Sequence, residues 1–293
     1  MGERFAGPDQ VLERLRDVDY LADEAIASAL YLADRLDKPL LVEGPAGVGK
    51  TELAKAAAAV TGARLIRLQC YEGLDESRAL FEWNYRKQLL RIQAGGPDAG
   101  ADWHALEEDI FSEPFLLERP LLAAVRAVDD VVLLIDEVDR IEVETEALLL
   151  EVLAELQVSI PELGTIRGTR RPLVLLTSNN TRELSEALRR RCLFLPVDYP
   201  SLDRERDILL ARVPGIEERL AGQVARVVQS ARRLDLRKPP SISETIDWAR
   251  ALMALGHVEV TEGSLAATLP VLLKSRADLT TAGRQLGIDP GAR

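Results

Sequence analysis

Apolar positions along the chain follow two regimes, unbroken β-rich runs before residue 199 and helical spacing after it. The runs Leu40-Leu41-Val42, VVLLI at 131–135 and LVLL at 173–176 are each stopped by polar or turn-forming residues, as strands buried on both faces of a parallel sheet would be. ARLIRLQC alternates like a half-buried strand, and LFLP at 193–196 is a short apolar one. Spacings of three and four (Val11, Leu12, Leu15, Leu21, Ala25, Leu30, Leu32, Leu36) predict one or two helices before the first strand. The Ala-rich ELAKAAAAV predicts another, stopped by Gly62. Residues 71–93 read as helix by period, 94–113 as a Gly-rich acidic mobile loop, 115–127 as helix and 144–157 as helix. A turn-containing excursion with β character then predicts a hairpin around Glu162 to Gly164. Beyond Tyr199 the periodicity is helical throughout, broken at Pro214-Gly215, Pro239-Pro240 and Gly256, with a frayed tail GIDPGAR. The pattern predicts an α/β domain over 1–199 and a smaller helical lid over 200–293.

The first strand runs into Gly44-Pro45-Ala46-Gly47-Val48-Gly49, and Lys50-Thr51-Glu52 opens the Ala-rich helix. Glycines at the G-x-x-x-x-G-K-T spacing let successive N–H groups turn onto phosphate oxygens, and the helix N-terminus adds partial positive charge. In this pattern Lys50 reaches the β- and γ-phosphates of ATP and the Thr51 hydroxyl binds Mg²⁺. The bland alternative is a Gly-rich turn followed by a chance Lys-Thr, which the flanking strand and helix disfavour. At the C-terminal end of VVLLI stand Asp136 and Glu137. Ligands of open α/β sheets bind at that edge, so Asp136 would hold Mg²⁺ through water and Glu137 would polarise the attacking water. A carboxylate pair can also merely end a strand. Asn179, at the tip of the 173–176 run, could hydrogen-bond that water or the γ-phosphate, although Asn is a common turn residue. Arg189, Arg190 and Arg191 form either a solvated basic patch or an arginine finger for a neighbouring subunit's γ-phosphate.

Charge narrows the partners. With 48 Asp and Glu against 37 Lys and Arg, the net charge of −11 repels nucleic acid and anionic membrane, leaving protein as the default partner. The aromatic cluster Tyr71, Phe81, Trp83 and Tyr85 is interrupted by Glu72, Asp75, Glu76 and Glu82, which favours core packing or a protein contact over base stacking. Cys70 and Cys192 lie far apart without CxxC or His neighbours and read as small buried hydrophobes in a reducing compartment. No apolar run approaches the ~18 residues of a membrane span, and MGERFAGPDQ lacks a signal-peptide core, so a soluble cytoplasmic protein is expected.

With GPAGVGKT, LLIDEVDR, TSNN and EALRRRC in that order, the chain resembles an AAA+ ATPase, over about residues 15 to 275, and within that superfamily the MoxR type. The VEG lead-in, DEVDR where the branch usually has DEINR, and insertions on either side of the 131–136 strand carry the finer likeness. RLQCYEGLDESRALFEWNYRKQLLRIQ is similar to the CoxD-like group found with aerobic carbon monoxide dehydrogenase and related molybdenum hydroxylases. The resemblance implies a P-loop NTPase fold, a three-layer αβα parallel-sheet core with a C-terminal helical lid. It implies Lys50 and Thr51 as the Walker A pair, Asp136 and Glu137 as Walker B, Asn179 as sensor 1, and Arg191 as the finger with Arg190 in reserve. Arg140 would sense the subunit interface. Where the family's lid carries a sensor 2 arginine, this chain has Ser241 or Glu244, so Arg237 or Lys238 substitutes or lid closure follows nucleotide more weakly. The implied assembly is a homo-oligomeric, commonly hexameric ring. Its implied work is chaperone-like maturation of a client metalloenzyme, with a von Willebrand factor A domain protein as partner. A nucleic-acid motor or loader, or an ATP-gated scaffold with little hydrolysis, are the alternatives.

Overall fold

The computed structural model describes residues 4–94 and 103–285. The start of the N-terminal stretch, the centre of the expected Gly-rich loop and the tail GIDPGAR lie outside the described residues. Two compact units form: Met1–Arg14, Ala22–Glu43 and Thr51–Pro196 make the first, and Leu15–Leu21, Gly44–Lys50 and Val197–Arg293 the second.

In chain order the first elements are α1 (Pro8–Asp17), α2 (Glu24–Arg35), β1 (Leu40–Glu43), α3 (Lys50–Thr61), β2 (Arg64–Gln69), α4 (Glu76–Ala79), β3 (Phe81–Trp83), α5 (Tyr85–Ala94) and α6 (Trp103–Ile110). They are followed by β4 (Leu116–Glu118), α7 (Pro120–Val125), β5 (Val131–Asp136), α8 (Val143–Glu155), β6 (Gln157–Ile160), β7 (Gly164–Arg167), β8 (Leu173–Ser178), α9 (Glu186–Arg189) and β9 (Leu193–Pro196). The rest is helical: α10 (Leu202–Arg212), α11 (Glu218–Arg232), α12 (Ile242–Ala254), α13 (Glu262–Leu272) and α14 (Arg276–Gln285).

The first unit is built on a five-stranded parallel sheet in the order β2-β5-β8-β1-β9, flanked by helices. Every residue of β5 and β8 is buried, as the apolar runs required of central strands. β2, at the edge, alternates instead and leaves Arg64 and Arg67 exposed. Leu121, Leu122 and Val125 of α7 pack with Leu133, Ile135 and Leu176, each contributing about 2 kcal/mol by leaving water. The predicted hairpin is β6–β7, pairing Ile160 with Gly164.

Residues 71–93 are not the continuous helix their period suggested. Asp75 caps the one-turn α4 by accepting the Arg78 N–H at 3.1 Å, after which Phe81–Trp83 turns into a strand antiparallel to Leu116–Glu118. Trp83 buries itself edge-on against Phe111, with ring centroids 5.2 Å apart, whereas Tyr71 and Tyr85 are exposed. The aromatic alternation that reads as helix here serves a strand whose partner lies over thirty residues away, which no local period can register. The loop expectation for 94–113 likewise fails in part, since α6 occupies Trp103–Ile110, and 115–127 holds β4 and the short α7 rather than one helix.

The second unit is helical around Trp248, which is wholly buried and donates its Nε1–H to Thr268 Oγ1 at 2.7 Å. Capping boxes start α12 (Ser241 with Glu244) and α13 (Thr261 with Ser264), satisfying end N–H groups that the first helical turn leaves open. Among the described residues no helix is long and apolar enough to cross a membrane.

Candidate active site

Because β5 is a central strand, its last residue, Asp136, is held almost out of solvent at the C-terminal edge of the sheet. Its Oδ1 accepts hydrogen bonds from Thr51 Oγ1 at 3.0 Å and Thr177 Oγ1 at 2.5 Å. Its Oδ2 accepts from Arg67 Nε at 3.1 Å and Nη2 at 2.6 Å. Glu137 follows with φ 57° and ψ 48°, a left-handed conformation that costs a branched-free side chain about 1–3 kcal/mol and is typical of positions held for function. Its N–H donates to Thr177 Oγ1 at 2.8 Å, which fixes the turn. Its carboxylate accepts from Gln69 Nε2 at 3.2 Å and Arg140 Nη1 at 3.1 Å.

A hydroxyl and a buried carboxylate in contact are hard oxygen donors suited to Mg²⁺. Among the described residues no group of three or more His, Cys, Asp or Glu side chains could hold a metal by itself. With one hydroxyl and one carboxylate, Thr51 and Asp136 fit a cation that brings further oxygens with it, as a phosphate-bound Mg²⁺ does.

The glycine loop belongs to the second unit. Gly47 and Gly49 have φ of 74° and 96°, the backbone turn that lines up N–H groups for an anion. A Cβ at Gly44 would stand 1.8 Å from the Val197 carbonyl oxygen, so only glycine fits there. Lys50 is buried, and its Nζ donates to the carbonyls of Gly44 at 2.6 Å and Pro45 at 2.7 Å. The Gly47 carbonyl accepts the Ile242 N–H at 3.1 Å, and a Cβ on Gly47 would meet Ser241 at 2.3 Å. Ser241 and Glu244, which occupy the expected sensor 2 place, are thus the start of a helix resting on the phosphate loop. The exposed Arg237 and Lys238 have their backbone N–H groups tied to Asp278 at 2.9 and 3.2 Å.

Asn179 directly follows β8. Asp139, in the turn after Glu137, binds Thr181 N at 2.9 Å and Oγ1 at 2.6 Å. Burial pushes the Asp139 carboxyl up, but the Thr181 hydroxyl and the Thr181 and Asn179 amides outweigh it and hold it below the usual carboxylate range. This clasp fixes the turn that carries Asn179. Of the three arginines, Arg189 is drawn inward, with Nη2 2.9 Å from Glu43 Oε2 and its guanidinium over the Phe194 ring. Arg190 pairs with Glu186 on the exposed face, and Arg191 donates to the Ala187 carbonyl at 2.9 Å.

The structure therefore brings Thr51, Asp136 and Glu137 together and adds four residues that had been assigned no role: Arg67 and Gln69, which lie outside the motifs, and Thr177 and Asp139, which lie within them. The strand register supplies the first two, since Gln69 is the direct neighbour of Asp136 across β2–β5. Thr177 was signalled by its place at the head of TSNN, two residues before Asn179.

The model of the ATPase family associated with various cellular activities (AAA) matches residues 40–195. The uncharacterized protein SH1500 of Staphylococcus haemolyticus is 24% identical over 243 residues, spanning 81% of this chain and 84% of its own. Among solved structures, a proline-to-glycine mutant of RuvB from Thermotoga maritima superposes with a TM-score of 0.50 at 16% identity, over 98% of this chain and 84% of its own. An arginine-to-alanine mutant of the same RuvB gives 0.50 at 16% identity, over 99% and 87%.

Proposed function

The chain belongs to the AAA family of ATPases, and from that premise we propose that it binds ATP with Mg²⁺ and hydrolyses it to drive remodelling of another protein, as a MoxR-type factor. The observation that carries this reading is the pairing at the end of β5: Asp136 bonded to the Thr51 hydroxyl, with Glu137 next to it in a strained backbone turn.

The phosphate loop from Gly44 through Pro45, Ala46, Gly47, Val48 and Gly49 to Glu52 cradles the nucleotide with its N–H groups. Lys50 exchanges its bonds to the Gly44 and Pro45 carbonyls for oxygens of the β- and γ-phosphates. Thr51 and Asp136 would hold Mg²⁺, which would neutralise charge on those phosphates. Glu137 orients the attacking water and takes its proton, and Asn179 hydrogen-bonds the water or the γ-phosphate. Arg191, with Arg190 in reserve, reaches the γ-phosphate of a neighbouring subunit, and Arg140 reads that interface through its contact with Glu137.

This reading takes 1–199 as the nucleotide-binding domain and 200–293 as the lid. It places the protein in the cytoplasm as a homo-oligomeric, hexameric ring with a von Willebrand factor A domain partner and a client metalloenzyme of the carbon monoxide dehydrogenase kind. Replacing Glu137→Gln is expected to cut ATP turnover about a hundredfold while nucleotide binding persists. Wild-type turnover in that variant would sink the assignment of the base, and DNA-stimulated hydrolysis would move the reading to a nucleic-acid motor.

A further inference from the structure

Asp136 already carries a cation. Arg67, on the edge strand β2, reaches it with two nitrogens, at 3.1 and 2.6 Å from the same Oδ2, although the Arg67 side chain is 47% exposed and that of Asp136 only 3%. The opposite oxygen is satisfied separately by the Thr51 and Thr177 hydroxyls. The pair is therefore not needed to pair off the buried carboxylate's Oδ1, and it puts a full positive charge on the oxygen not engaged by Thr51. Arg67 and Gln69 are two apart on one strand and so share a face. The Arg67 guanidinium also donates to Gln69 Oε1, which leaves the Gln69 amide nitrogen facing Glu137 at 3.2 Å.

We propose that Arg67 competes with the metal for Asp136, so that the Mg²⁺ requirement for nucleotide binding is set by this arginine. The inference rests on the reading of Thr51 and Asp136 as the metal-binding pair. Its physical basis is charge: a guanidinium bonded to one oxygen of a buried carboxylate repels a second cation that approaches the same carboxylate.

The test is calorimetric titration of a non-hydrolysable ATP analogue at stepped Mg²⁺ concentrations. Arg67→Met removes the charge and keeps the aliphatic stem. It is expected to lower the Mg²⁺ concentration for half-maximal effect about tenfold. Arg67→Lys, which keeps the charge, is expected to stay within about threefold of wild type. A merely structural pair would instead disturb Asp136 when lost, so an unchanged or raised Mg²⁺ requirement in Arg67→Met overturns the proposal. Should Arg67→Met not fold by circular dichroism, Arg67→Gln, which retains hydrogen-bond donors without charge, is read by the same criterion. Loss of Mg²⁺-dependent binding in the wild type overturns the nucleotide reading and this inference together, whereas failure of the variants alone overturns only the inference.

Discussion

Cys70 follows β2, and its N–H donates to the Asp136 carbonyl at 2.8 Å, which places its fully buried thiol behind the carboxylates. Burial first, and then the charges of Asp136, Asp139 and Glu137, pushes this thiol up to about 12. Between the ordinary thiol range near pH 8.5 and that value the unfolded chain has lost the proton and the folded chain keeps it, so the stability this group supplies below pH 8.5 is lost as pH rises. Cys70→Ala should therefore make the fall of unfolding free energy between pH 9 and 11 shallower, by up to about 1.4 kcal/mol per pH unit. Urea unfolding at stepped pH reads this, and parallel slopes in the two proteins would show that the thiol is not so placed. The reading of Cys70 as a small buried hydrophobe, made from its lack of CxxC or His neighbours, agrees with its burial. That Arg67 and Gln69 stand beside the two carboxylates was not legible, because it depends on which strand neighbours β5 and at what register, and 67 residues separate the paired positions Gln69 and Asp136.

At the scale of elements, the central strands were legible because burial on both faces leaves no polar position to interrupt them. The β3–β4 pair was not, since three-residue strands have no period of their own and are created by each other. Helices α10, α11 and α12 are joined by a contact equally invisible to periodicity. Glu205, wholly buried, takes a bidentate grip from Arg232 at 2.7 Å through each oxygen and accepts the Thr245 hydroxyl at 3.0 Å. Arg232 stacks on the Tyr199 ring, 4.4 Å from its centroid, and donates to the Pro240 carbonyl at 2.8 Å, just before the Ser241 cap. Removing one partner of such a pair strands the other charge in the core. Glu205→Ala is expected to lower the stability of the helical unit by about 3–5 kcal/mol, while Glu205→Met with Arg232→Met, which leaves no charge behind, should cost far less. Chemical unfolding of both variants decides this, and equal losses would mean that packing rather than charge dominates.

For the whole molecule, the ring reading makes a prediction that no property of a single chain can mimic. Arg189 is occupied by Glu43 within its own unit, whereas Arg190 and Arg191 are exposed at the end of α9, available to a neighbour. If Arg191 acts across an interface, Arg191→Ala should lose about a thousandfold or more in turnover, the size seen when a finger is withdrawn, and Arg190→Ala less. Mixing is the stronger test. Arg191→Ala subunits keep an intact Glu137, and Glu137→Gln subunits keep an intact finger, so interfaces between the two kinds in the productive order are whole. In randomly mixed equal parts about a quarter of interfaces would be of that kind, and activity should return to roughly that fraction of wild type from two nearly inactive proteins. A mixture no more active than its components, with mixed assembly confirmed by mass, would mean that Arg191 serves its own subunit or none, and the charge at the mouth of the site would have to come from elsewhere.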